Sequence, residues 1–119
     1  MIQWTDMALD RFLTEDPGGP VVMLNLLRFR PDGGRESYQA YVEHLGSLSE
    51  DFGLELLYAG DGATPLVAEA GQDWDTVALV RYPSRSAFAA MVRSETYRSG
   101  EHLRTAALSE TVLQPTRPH

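Results

Sequence analysis

Val21-Val22-Met23-Leu24-Asn25-Leu26-Leu27-Arg28-Phe29 lies between two clusters of chain breakers, Pro17-Gly18-Gly19-Pro20 and Pro31-Asp32-Gly33-Gly34. The run is far too short to cross a membrane as a helix, and turn residues bound it on both sides, so it is expected to form a β-strand. Successive side chains of a strand point to opposite faces. Val22, Leu24 and Leu26 then share one face and Met23, Asn25 and Leu27 the other. Both are apolar, apart from one amide. A strand of that kind needs a cover on each side. The chain has helices for one face only, so a second copy of the sheet is the expected cover for the other.

Outward from this strand the remaining elements follow. Thr5 and Asp6 can cap a short helix with Ala8, Leu9, Phe12 and Leu13 on its apolar side. Downstream, Tyr38, Tyr41, Val42, Leu45, Leu48 and Phe52 recur at helical spacing over residues 36–52, with Gly53 as a natural stop. Residues 54–59 alternate as a strand, 66–70 read as its resumption, and Gly71-Gln72-Asp73 reads as a hairpin turn into a second central strand, Trp74 to Tyr82. On that strand Val77 and Leu79 share one face and Ala78, Val80 and Tyr82 the other. Ser84 offers an N-cap for a helix carrying Ala87, Phe88, Met91 and Val92, and Ser94 one for a second helical piece reaching Ala107, with Gly100 a weak point within it. Residues 108–114 close the domain as a strand. The order is helix, then β-α-β-β-α-β. It predicts an α+β, ferredoxin-like antiparallel sheet with helices on one face, pairing through the other into a dimeric α/β barrel. The expected division is a helical extension over residues 1–19, the barrel domain over 20–115 and a tail over 116–119.

Composition narrows the function. The chain contains 119 residues, no cysteine, and 17 acidic against 10 basic side chains, a formal charge of -7. Disulfides, thiolate nucleophiles and sulfur-ligated metal clusters are therefore excluded. The negative field disfavours nucleic acid and anionic membranes as partners. The first residues carry no basic stretch followed by an apolar one, and a cytoplasmic location is the expectation.

Several stretches resemble one family: Val22-Met23-Leu24-Asn25-Leu26-Leu27, Trp74-Asp75 leading to Leu79-Val80-Arg81-Tyr82-Pro83-Ser84, Phe88 with Met91, and Arg104-Thr105-Ala106-Ala107-Leu108. They are similar to the uncharacterised family numbered 1330 among domains of unknown function, over residues 20–115, with the Arg-Tyr-Pro-Ser block the most specific part. The resemblance implies a dimeric α/β barrel within a superfamily that includes cofactor-independent monooxygenases, muconolactone-isomerase-like enzymes and stress-responsive barrels. It supplies no catalytic residue, so candidates come from chemistry.

Asn25, flanked by Met23 and Leu27, can orient a ligand carbonyl or hydroxyl in an apolar cavity, or be satisfied by a neighbouring strand. Arg81 can clamp a carboxylate and Tyr82 can donate to a developing oxyanion; the alternative is a surface ion pair beside a half-buried phenol. Met23 and Trp74 are candidate walls of the substrate site. His44 and His102 are the non-terminal histidines, and His102 is the candidate for proton transfer because it adjoins the family-like block at Arg104. Both sit at the edge of an apolar stripe, where a histidine is commonly just a half-exposed polar residue. Two distant histidines without cysteines do not match metal-ligand spacing, and no metal or cofactor is expected. Two functions stay open. One is a cofactor-independent oxygenase or isomerase acting on a small aromatic or lactone-like molecule; the other is a non-catalytic, dimeric small-ligand or stress-response module.

Overall fold

A computed structural model describes residues 4–119. The elements in order are α1 (Asp6–Thr14), β1 (Val21–Phe29), α2 (Gly34–Gly46), α3 (Ser49–Phe52), β2 (Glu55–Asp61), β3 (Thr76–Tyr82), α4 (Arg85–Arg93), α5 (Glu95–Arg98), α6 (Glu101–Ala107) and β4 (Leu108–Thr116). The strands form one sheet in the order β2-β3-β1-β4, and every neighbouring pair is antiparallel. The two strands apolar on both sides, β1 and β3, occupy the centre, as their composition requires. This is the ferredoxin-like arrangement, with α2 packed on α6, and α1 on α4.

Side chains on the helix side of the sheet build the main core. Val21, Met23 and Tyr82 pack with Leu9, Tyr41, Leu48, Phe88, Met91 and Tyr97, all buried. On the opposite side, Leu24, Leu26, Val77, Leu79 and Val112 form an apolar face that no helix covers and that stays partly exposed.

Local chemistry explains most boundaries. Thr5 caps α1 by accepting from the Ala8 amide at 3.1 Å, and Ser84 caps α4 by accepting from the Ala87 amide at 3.0 Å. Ser94 caps α5 by accepting from the Tyr97 amide at 3.1 Å. The expected helix over 36–52 is two pieces, because the amides of Ser47 and Leu48 bond back to His44 and Leu45, three residues away, and tighten the chain after Gly46. The expected piece from Ser94 to Ala107 likewise breaks at Ser99 and Gly100.

The largest departure lies between β2 and β3. Residues 62–75 contain no strand, and Leu66 and Val67 are fully exposed. A loop carbonyl network holds the segment instead. Arg28 donates to the Gly71 carbonyl at 2.9 Å and the Asp73 carbonyl at 2.6 Å, pairs with Glu110 at 3.0 Å, and lies 4.8 Å from the centre of the Trp74 ring. β4 also runs two residues further than its apolar pattern indicated, through Thr116, whose hydroxyl donates to the Val22 carbonyl at 2.7 Å.

Candidate functional site

Among the described residues, three cavities on the helix side of the sheet stand out. The largest, about 590 Å³, lies beneath α2, with Tyr38, Val42 and Leu45 above and Leu27, Ala78 and Val80 as its floor. Its volume falls within the range of about 300–1,000 Å³ typical of small-molecule sites. Arg35 and Asp61 pair at 3.1 Å beside it, and the Arg35 guanidinium sits 4.8 Å from the centre of the Phe29 ring. The hydrogen bond from Arg35, with a second from Thr76, holds the exposed Asp61 carboxyl below its ordinary range.

The second cavity is small, about 40 Å³, and shares Tyr38, Leu45 and Val80 with the first. Its wall is polar in an unusual way: Asn25, Tyr38, Tyr41, Tyr82, Tyr97 and Arg104 all reach it. The Tyr41 and Tyr97 hydroxyls bond to each other at 2.8 Å. Asn25 donates one amide hydrogen to the Met23 carbonyl of its own strand at 3.2 Å. The third cavity, about 290 Å³, lies between α1 and the sheet and meets the second at Trp4, Met23, Phe88 and Leu113.

Burial raises the phenols of Tyr41, Tyr82 and Tyr97 above their ordinary range, and does the same for Tyr38. They are hydrogen-bond donors at neutral pH and poor bases. The stability consequence has a definite sign. Above pH about 10 an unfolded tyrosine loses its proton while the buried one keeps it, so stability is intact below that pH and falls as pH rises beyond it. Three fully buried phenols together cost about 4 kcal/mol per pH unit, a large share of a small domain's stability. Tyrosinate absorbance and far-ultraviolet circular dichroism should therefore change together in an alkaline titration. Ionisation of these phenols ahead of unfolding would contradict it.

Of the residues singled out from sequence, the fold brings Met23, Asn25 and Tyr82 together around the small cavity. Arg81 points to the opposite side of the sheet, because it alternates with Tyr82 on β3. Trp74 is engaged by Arg28 near the loop, away from all three cavities. His102 is on the exposed side of α6 and lines none of them, while His44 bonds through Nε2 to the Thr96 carbonyl at 2.6 Å. Among the described residues no cluster of His, Asp or Glu could hold a metal ion, and no helix is long and apolar enough to cross a membrane.

Arg104 is the residue that sequence reasoning passed over. It is 5% exposed, on the inward side of α6 with Ala107, and its guanidinium lies 5.2 Å from the centre of the Trp4 ring. Its four-residue spacing from Gly100 and three-residue spacing from Ala107 place it on the helix face that is buried here, but small residues at those positions give no signal in the sequence that a charge is enclosed.

An α+β antiparallel sheet with its helices on one side defines the class: a ferredoxin-like protein. The chain belongs to the family of the domain of unknown function DUF1330, whose profile matches residues 33–114 and so begins after β1. It is similar over 99% of its length, at 32% identity and a TM-score of 0.92, to 96% of a protein of unknown function from Rhodopseudomonas palustris. A dimeric ferredoxin-like protein of unknown function from a Jannaschia species matches 84% of this chain and 100% of its own at 12% identity, with a TM-score of 0.64. A hydroxynitrile lyase from Passiflora edulis matches 84% of this chain and 94% of its own at 14% identity, again with a TM-score of 0.64. A comparison with curated proteins finds no match.

Proposed function

We propose that the chain is a homodimeric, cofactor-independent enzyme that binds a small aromatic or lactone-like molecule between its sheet and α2 and acts on it as an oxygenase or isomerase. The observation that carries this reading is the pair of adjoining cavities, an apolar one of about 590 Å³ that shares Tyr38, Leu45 and Val80 with a small one rimmed by buried donors. The large cavity would take the apolar body of the ligand; Tyr82 and Asn25 would fix its oxygen, the phenol donating where negative charge develops. The use of the same fold by a hydroxynitrile lyase supports catalysis on small molecules, the dimeric neighbour supports pairing, and the uncovered apolar sheet face is the surface this chain offers for it.

The exposed position of His102 favours a second reading, a dimer that binds a similar ligand without turning it over. Native mass spectrometry on freshly purified chain, followed by turnover assays on any retained organic molecule, separates the two. In the enzyme reading, Asn25→Leu lowers turnover of that molecule by about 100-fold or more while the melting temperature stays within a few degrees, since only the amide is lost. Undiminished turnover in a folded Asn25→Leu chain would remove Asn25 from the mechanism.

A further inference from the structure

We infer that the small cavity is an anion subsite in which Arg104 receives the carboxylate of an amphipathic organic acid whose apolar body lies in the adjoining cavity beneath α2. This inference rests on reading those cavities as a small-molecule site.

A buried guanidinium normally carries a carboxylate or several carbonyl acceptors, because desolvating an unpaired charge is unfavourable. Arg104 has neither. No described residue forms a hydrogen bond or ion pair with its guanidinium, which lies against the face of Trp4 and acts through space on the phenols of Tyr38, Tyr41 and Tyr97. Yet no side-chain nitrogen or oxygen among the described residues is sealed away without a partner, so the guanidinium nitrogens keep some accessible surface, and Arg104 lines the small cavity. Glu101, one turn before it on α6, forms no ion pair with it, although its charge and that of Arg104 act in opposite directions on the Tyr41 and Tyr97 phenols.

The surroundings match a bound carboxylate. The Tyr38 and Tyr82 hydroxyls have no hydrogen-bond partner among the described residues, and the Tyr41–Tyr97 pair retains one proton that neither oxygen of the pair accepts. Asn25 uses only one of its two amide hydrogens. The wall thus presents one fixed positive charge together with several unspent donors, and the fixed charge is what favours an anion over a neutral ligand. A planar fork of N–H groups suits a carboxylate better than a neutral oxygen. The volume of about 40 Å³ leaves room for about two or three water-sized groups, which fits a carboxylate and excludes a ring. The ring belongs in the larger cavity, which meets the small one at Tyr38, Leu45 and Val80.

Sodium benzoate and its neutral isostere benzamide test this at pH 7.5, read by thermal shift and by tryptophan fluorescence, to which Trp4 contributes from its place against Arg104. The wild-type chain should bind benzoate at least tenfold more tightly than benzamide. Arg104→Met should abolish that preference and melt at or above the wild-type temperature without ligand, because it removes an unpaired buried charge; Arg104→Lys should retain a preference for the anion. Equal binding of the two probes to the wild-type chain overturns the anion subsite and leaves the small-molecule cavity standing. Failure of both probes to bind overturns the two together. A benzoate preference that survives in Arg104→Met assigns the anion to another residue and overturns the inference. The wild-type comparison needs no variant to fold, so the result does not depend on the behaviour of Arg104→Met.

Discussion

Phe88→Ala is expected to destabilise the fold by about 3–5 kcal/mol, the range for removing a buried phenyl ring from a well-packed core. Phe88 is 5% exposed and is the meeting point of three rings: Tyr82 at 5.0 Å, Phe12 at 5.6 Å and Trp4 at 6.1 Å between centroids, all edge to face. Edge-to-face pairs add about 0.5–1.5 kcal/mol each beyond area burial, and the truncation removes all of them at once. It also removes the wall shared by the cavity at α1 and the polar cavity, merging spaces of about 290 and 40 Å³. Urea unfolding at constant m-value gives the number. A loss under about 1 kcal/mol would mean that α1 and α4 close over the gap and that the ring is not the anchor of the extension.

Leu79→Arg is expected to turn the proposed dimer into a folded monomer. Leu79 stands at the centre of the uncovered face, opposite Leu24 on one side and Tyr58 on the other. A guanidinium in a dry interface lacks an acceptor, and two copies meet across a symmetric contact, so association should weaken by at least about 1,000-fold, or about 4 kcal/mol. The helix-side core is untouched, so circular dichroism should be unchanged. Sedimentation of wild type and variant at micromolar concentration decides it: a wild-type monomer, or a variant that still dimerises, would each reject the sheet face as the contact.

How far the sequence carried the fold follows from where its signals were local. β1 and β3 declared themselves because their apolar residues occupy both parities of a period-two pattern, and the hydroxyls of Ser84 and Ser94 sit directly before the helices they cap. The 62–75 loop was harder to read, since Leu66-Val67-Ala68 mimics a strand while the contacts that hold the segment come from Arg28, more than forty residues away in the chain. The site divided along the same line. Met23, Asn25 and Tyr82 follow from strand parity alone. Arg81 follows from it too, and parity sends it to the other side of the sheet. Arg104 has the opposite difficulty: a charged residue on a short helix reads as solvent-facing, and only the tertiary placement of α6 against α2 encloses it.

Arg28 has a consequence for how β1 finds its partners. A strand with one apolar face is held in register by that face, since slipping one residue would turn its apolar side to water. β1 lacks that safeguard: a one-residue slip would exchange Leu24 and Leu26 for Met23 and Leu27 at little hydrophobic cost. Arg28 breaks the degeneracy. A slip would carry its guanidinium to the helix side and strip the Gly71 and Asp73 carbonyls of their donor. The irregularity in pairing with β4 at Arg28 and Phe29 adds a second fixed point beside it. One polar side chain at the end of an otherwise apolar strand thus selects which set of residues faces the cavities.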